Sequence, residues 1–208
     1  MGKYIPTSGF HTLDPIRNNP EQVIDAILAS VAGDHGDLKK FAPGVSEIEG
    51  LVEGVPSDID KATLLFLSCI DWETSSSSAA DSLDGGKGSK EKLGRWPTED
   101  GNAIAYLVEY STSKKNTLHE LLAKLTLGLN PDFLGEEGFD RGNLGLELLG
   151  WLTADEVKEL RREITRGSWV VKADEPFDGG VQDGFRHLSA ILNGAEKRGL
   201  GLLMRRHS

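Results

Sequence analysis

WLTADEVKELRREITRGSWVVKADEPFDGGVQDGFRHLSAILNGAEKRGLGLLMRRHS, Trp151 to Ser208, is the stretch that decides the fold class of this chain. It alternates helical and strand-like runs, and each joint carries a residue suited to it. Thr153 can accept a hydrogen bond from the backbone N–H of Glu156, and Glu156 can reach back to the N–H of Thr153. That reciprocal pair is a capping box and starts a helix. Val157, Leu160 and Ile164 follow at spacings of three and four, so they share one face. Asp155, Glu156 and Glu159 sit at the positive end of the helix dipole and Arg161, Arg162 and Arg166 toward its negative end, the favourable order. Gly167 ends the helix because it takes a left-handed backbone without steric cost. Ser168 to Lys172 has strand composition, and Glu175 to Gly180 is turn chemistry. A second helix is expected from Gln182 to Arg198, with Phe185, Leu188, Ile191, Leu192 and Ala195 as its buried stripe and Gly199 as its stop. Leu200 to Met204 reads as a last, buried strand. Arg205 to Ser208 reads as a polar tail.

The order LTADEV, amphipathic helix, turn, FxxLxxILxxAxxRGLGLL and chain end resembles the C-terminal part of small bacterial proteins of the YfbM-like group and related uncharacterised families. Those proteins share a late LT-x-E/D-E-V helix start and a closing helix followed by a glycine-containing apolar strand. The Met1-Gly2-Lys3-Tyr4 opening is compatible with the same layout. The resemblance spans the C-terminal third, and it implies a compact α+β domain of bacterial origin. It brings no catalytic or binding residues with it.

The rest of the chain bounds the answer further. Its 208 residues suffice for a sizeable core. No run of apolar residues is long enough to span a bilayer, and the N-terminus lacks the basic-then-apolar pattern of a signal peptide. Cys69 is the only cysteine, which excludes an intrachain disulfide. A cytoplasmic location is expected. The net charge of −10 is uneven, with 9 basic and 17 acidic residues in 1–100 against 14 and 16 in 101–208. That balance argues against general nucleic-acid binding, which needs a basic surface. The local exception runs from Phe185 to Ser208, where Arg186, Lys197, Arg198, Arg205 and Arg206 meet one acid, Glu196. Trp96, following a polar stretch, is the tryptophan expected to be most exposed. Trp96, Arg186, Arg198, Arg205 and Arg206 are therefore the candidate partner-binding surface.

Lys3 to Phe10 is a plausible first strand, confined to an edge or an end by Pro6. Asn19-Pro20 with Gln22 starts a helix that Gly33 ends. His35, between Asp34 and Asp37, lacks a downstream partner at metal-ligand spacing. Ser46 could cap a short helix, and Ser57 to Asp60 opens a better one through Ala62, Leu64, Leu65 and Ile70. Thr74 to Lys90, with six serines and three glycines, is expected to be a flexible insertion. Ala103 to Tyr110 is strand-like by composition, with an Ala-rich helix as the alternative. Thr117 and Glu120 form a second T-x-x-E box, with His119 on an exposed helix face. Trp151 before the Thr153 cap fits a hydrophobic staple.

No G-x-S-x-G, H-E-x-x-H, C-x-x-C or phosphate-loop pattern is present, and Gly199-Leu200-Gly201 sits at a helix end where a dinucleotide site needs a helix start. No catalytic residue, cofactor or metal site is assigned. The expected architecture is one α+β domain over residues 1–208. A small mixed or antiparallel sheet near 3–10, 103–110, 168–173 and 200–205 would be covered by about five helices. The expected function is that of a bacterial cytoplasmic protein acting by protein–protein binding, as immunity or stress-response proteins do, without a membrane span. The alternative is a small-molecule binder or hydrolase with a cleft beneath residues 74–101.

Overall fold

The computed structural model describes residues 10–41, 51–71, 96–98 and 100–207, the Leu144 side chain excepted. Five strands are described: β1 (Phe10–Ile16), β2 (Ser111–Ser113), β3 (Glu147–Leu152), β4 (Trp169–Val171) and β5 (Gly201–His207). The described α-helices are α1 (Pro20–Val31), α2 (Lys61–Cys69), α3 (Ala103–Tyr110), α4 (Thr117–Leu127), α5 (Pro131–Leu134), α6 (Ala154–Arg166) and α7 (Gly180–Arg198). The fold is α+β, with an antiparallel sheet in the order β1-β5-β3 and a separate two-stranded ribbon of β2 and β4.

β5 is central because its residues are apolar on both faces. Leu202 and Met204 join one core, and Leu203 between them joins the other. A strand covered on both sides reads as an unbroken apolar run, which is what Leu200 to Met204 is. On one face lie α3, α4, α6 and α7, with Tyr106, Leu122, Leu160, Phe185 and Leu188 in the core. On the other lie α1 and α2, with Ile27, Leu64, Leu65 and Phe139. The strands take part in the same division. Leu13 and Leu152 face the first core, Ile16, Leu148 and Trp151 the second.

Several helix ends follow from local chemistry. The Thr153 capping box forms as expected, and Gly167 and Gly199 close α6 and α7 at φ 63° and 67°. Asn19 caps α1 by accepting from Glu21 N at 3.1 Å. α2 has Asp60, the last residue of the expected Ser57 to Asp60 opening, as its N-cap. The Asp60 carboxylate accepts from Thr63 N at 2.8 Å and from Asn143 N at 3.0 Å. Burial pushes that carboxyl up, but these hydrogen bonds outweigh it and hold it below its usual value. Cys69 is buried in α2, and burial pushes its thiol up.

The structure corrects several expectations. Ala103–Tyr110 is a helix, because Asn102 caps it by accepting from Ile104 N at 2.9 Å and Ala105 N at 3.2 Å. The strand that completes the sheet is Glu147–Leu152, which has no alternation to reveal it. It carries a bulge between Leu148 and Gly150. At Gly150 the strand passes so close to α4 that a Cβ would come within 2.0 Å of the Lys124 carbonyl oxygen. Trp169–Val171 pairs with Ser111–Ser113 and stays outside the main sheet. The first described strand runs from Phe10 to Ile16, and it accepts Pro15 because β1 is an edge. Arg205 to His207 is the end of β5, paired with Phe10 to Thr12, and no tail. The Thr117 box does not form; Asn116 is the cap, without a side-chain bond. Trp151 is no staple either. Successive strand residues face opposite ways, so Leu152 joins Val157 in the first core while Trp151 turns to the second, under Lys124 Nζ at 4.8 Å. Seven α-helices are described, against about five expected. The Lys3 to Gly9 part of the expected first strand, the expected Ser46 cap and the expected Thr74 to Lys90 insertion lie outside the described residues. Among those residues no helix is long and apolar enough to cross a membrane.

Candidate functional site

The five nominated residues are spread over different surroundings. Trp96 is half-buried, its ring 4.9 Å from that of Tyr106 and packed beside Gly184. Arg186 is exposed and paired with Asp183 one turn earlier. Arg198 Nη2 lies 2.9 Å from Asp71 Oδ2, while Arg17 Nε donates to Asp71 Oδ1 at 2.7 Å. Asp71, only 1% exposed, thus ties the end of α7 to the end of α2. Arg205 and Arg206, being neighbours in a strand, point to opposite faces. Arg205 Nε is 2.9 Å from Asp14 Oδ2 without hydrogen-bond alignment, and its guanidinium lies 4.9 Å from the Phe66 ring centre. Arg206 Nε is 3.5 Å from Glu147 Oε2.

A more concentrated cationic surface lies on α6. The helix buries Val157, Leu160, Glu163 and Ile164. The spacing of three and four then leaves Lys158, Arg161, Arg162, Thr165 and Arg166 on the outer side. With Glu196 of α7 they line a shallow open groove of about 270 Å³. Three of its cations have partners: Lys158 with Asp155 at 2.9 Å, Arg161 with Glu196 at 2.7 Å and Arg166 with Glu163 at 2.7 Å. Arg162 is exposed and makes no ion pair among the described residues. The Lys158 and Arg166 side chains are 44% and 54% exposed, so their pairs are well hydrated and open to exchange. The sequence shows these residues, but as a dipole-favourable helix end; their convergence with Glu196 needs the packing of α6 on α7.

A second cleft, of about 160 Å³, opens where β3 starts and β5 ends, beside α4. Asp140, Arg141, Glu147 and Arg206 line it, with Leu127 and Leu149 as apolar wall. Of these, only Arg206 belongs to the candidate surface expected from the sequence.

The histidines have mainly structural surroundings. His35 is fully buried, its Nδ1 2.6 Å from Ser30 Oγ and its Nε2 2.9 Å and 3.1 Å from the Val55 and Val52 carbonyls. Both ring nitrogens are therefore used within the protein. His119 is half-buried rather than exposed, with Nε2 3.0 Å from the Ser111 carbonyl. His207 stacks on Phe10 at 4.4 Å and meets Thr12 Oγ1 at 3.0 Å. Burial and then Arg205 push its imidazole below its usual value. His11 is buried, with Nε2 3.4 Å from Asp100 Oδ2 and no hydrogen bond at either ring nitrogen. These two adjoin the region where a cleft beneath residues 74–101 was expected; residues 72–95 lie outside the described part. Among the described residues no three His, Cys, Asp or Glu converge as metal ligands would.

No protein-family model, curated protein or solved structure matches this chain.

Proposed function

We propose that this is a bacterial cytoplasmic protein that acts by binding another protein, and that it takes an acidic segment of that partner in the basic groove on α6. The observation that carries the reading is the groove itself: four cations against one lining carboxylate, on a chain of net charge −10. From Lys158 to Arg166 the row spans about 12 Å at the helical rise of 1.5 Å per residue. An extended peptide covers that with three or four residues, which suits a short acidic motif. A nucleic acid would need many more phosphate contacts and would be repelled by the rest of the surface. Three of the four cations are arginines, whose planar fork pairs two-fold with carboxylates. The resemblance of the C-terminal third to YfbM-like proteins supports the bacterial origin. A single buried free thiol suits a reducing compartment.

The test is fluorescence anisotropy with a labelled oligoglutamate peptide. Binding should weaken with added salt. The double substitution Arg162→Glu, Arg166→Glu should weaken it about tenfold or more, whereas Arg186→Glu should change it little. Equal losses in both variants would reduce the effect to overall charge and remove the groove from the account.

A further inference from the structure

We propose that the cleft at the start of β3 and the end of β5 is a binding site for a small zwitterion of the amino-acid class. Three charged side chains stand in one row across the sheet end. Arg141 pairs with Glu147 in an isolated antiparallel bridge, and Glu147 pairs with Arg206 in the main sheet. Residues opposite one another project to the same face with their Cβ atoms about 5 Å apart, so Glu147 stands between two arginines in that row. Asp140 lines the same cleft.

Their hydrogen-bonding capacity is largely unspent. Arg141 and the Asp140 carboxylate make no ion pair or side-chain hydrogen bond among the described residues. Arg206 Nε is buried without a hydrogen bond, 3.5 Å from Glu147. The neutral polar groups nearby are already committed. Asn130 accepts from Asp132 N at 2.9 Å, and Thr126 Oγ1 donates to helix carbonyls at 3.1 and 3.2 Å. Recognition therefore falls to two cations and two anions. Arg206 and Glu147 already face each other, so a simple anion would satisfy Arg141 and leave Asp140 unpaired, and a simple cation would do the reverse. A molecule carrying both a carboxylate and an ammonium serves both sets with no net change in charge. The cleft, of about 160 Å³ and open to solvent, is of a size to seat the charged end of an amino acid, and the exposed Leu127 offers an apolar surface for its side chain.

The probes are L-leucine, N-acetyl-L-leucine, which lacks the ammonium, and L-leucinamide, which lacks the carboxylate. Isothermal titration calorimetry on the full chain should show saturable leucine binding in the millimolar range. Each blocked analogue should bind about tenfold more weakly or worse, the loss expected for one charged hydrogen bond. Arg141→Met, at an exposed position, should give a similar loss while the circular dichroism spectrum is kept; Glu147→Gln should do the same. Absence of leucine binding, equal binding of the blocked analogues, or undiminished binding by Arg141→Met would each overturn the proposal.

Discussion

The groove on α6 and the cleft at the start of β3 are both lined by Arg with Asp or Glu, yet they are assembled in opposite ways. All but one of the groove's lining residues come from nine consecutive positions, Lys158 to Arg166, and one helix presents them. The cleft draws on α4, residues 140–141, β3 and β5, and exists only because β5 lies between β1 and β3 in register. The groove leaves one sign of charge in excess and suits an extended acidic segment. The cleft balances two cations with two anions and suits a small neutral zwitterion. A surface made locally is thus fixed by helix caps and periodicity, and a surface made non-locally by the sheet.

Damaging one support at a time separates the two sites. Leu203→Ala should have the largest effect. Leu203 is fully buried on the α1/α2 side of β5, and such truncations cost about 2–5 kcal/mol. Urea unfolding measures this, and a cost well under 1 kcal/mol would mean that β5 does not close that core. Next, Arg162→Glu with Arg166→Glu should weaken peptide binding by at least about 1.4 kcal/mol, a factor of ten, while leucine binding in the cleft is unchanged. Thr153→Ala removes the cap of the groove helix and should cost about 1 kcal/mol of stability. The smallest effect concerns His207. Its folded pKa lies below the ordinary 6.5. Above 6.5 its contribution to stability is fully present. As pH falls from 6.5 through the lowered folded value, the unfolded chain binds the proton first and the contribution is lost. Equilibrium unfolding between pH 7 and 5 should show this decline, and His207→Gln should flatten it.

Much of what positions the groove was legible. The Thr153–Glu156 box, the Val157, Leu160 and Ile164 stripe and Gly167 are signals contained within a few residues, and each appears in the structure. The same holds for Asn19, Gly199 and the apolar β5. What was not legible is pairing. β3 contains Gly150, whose role is to let the strand touch α4, and its bulge disrupts the period that marks a strand. β1 mixes His11, Thr12, Asp14 and Pro15 with only a few apolar residues, because one end of it carries polar contacts to β5. Arg205 and Arg206 looked like a tail because their partners, Asp14 and Glu147, are far away in sequence. Ala103 to Tyr110 misled through its aromatic and β-branched content, while Asn102, the deciding residue, lay just outside it.

Docking of an acidic segment on α6 is tested by hydrogen–deuterium exchange on the full chain, with and without a saturating oligoglutamate peptide. Slower exchange is expected, confined to residues 158–166 and the neighbouring turn of α7 around Glu196. Protection centred instead on residues 126–149 and the end of β5, or no protection at a concentration where anisotropy shows binding, would contradict it.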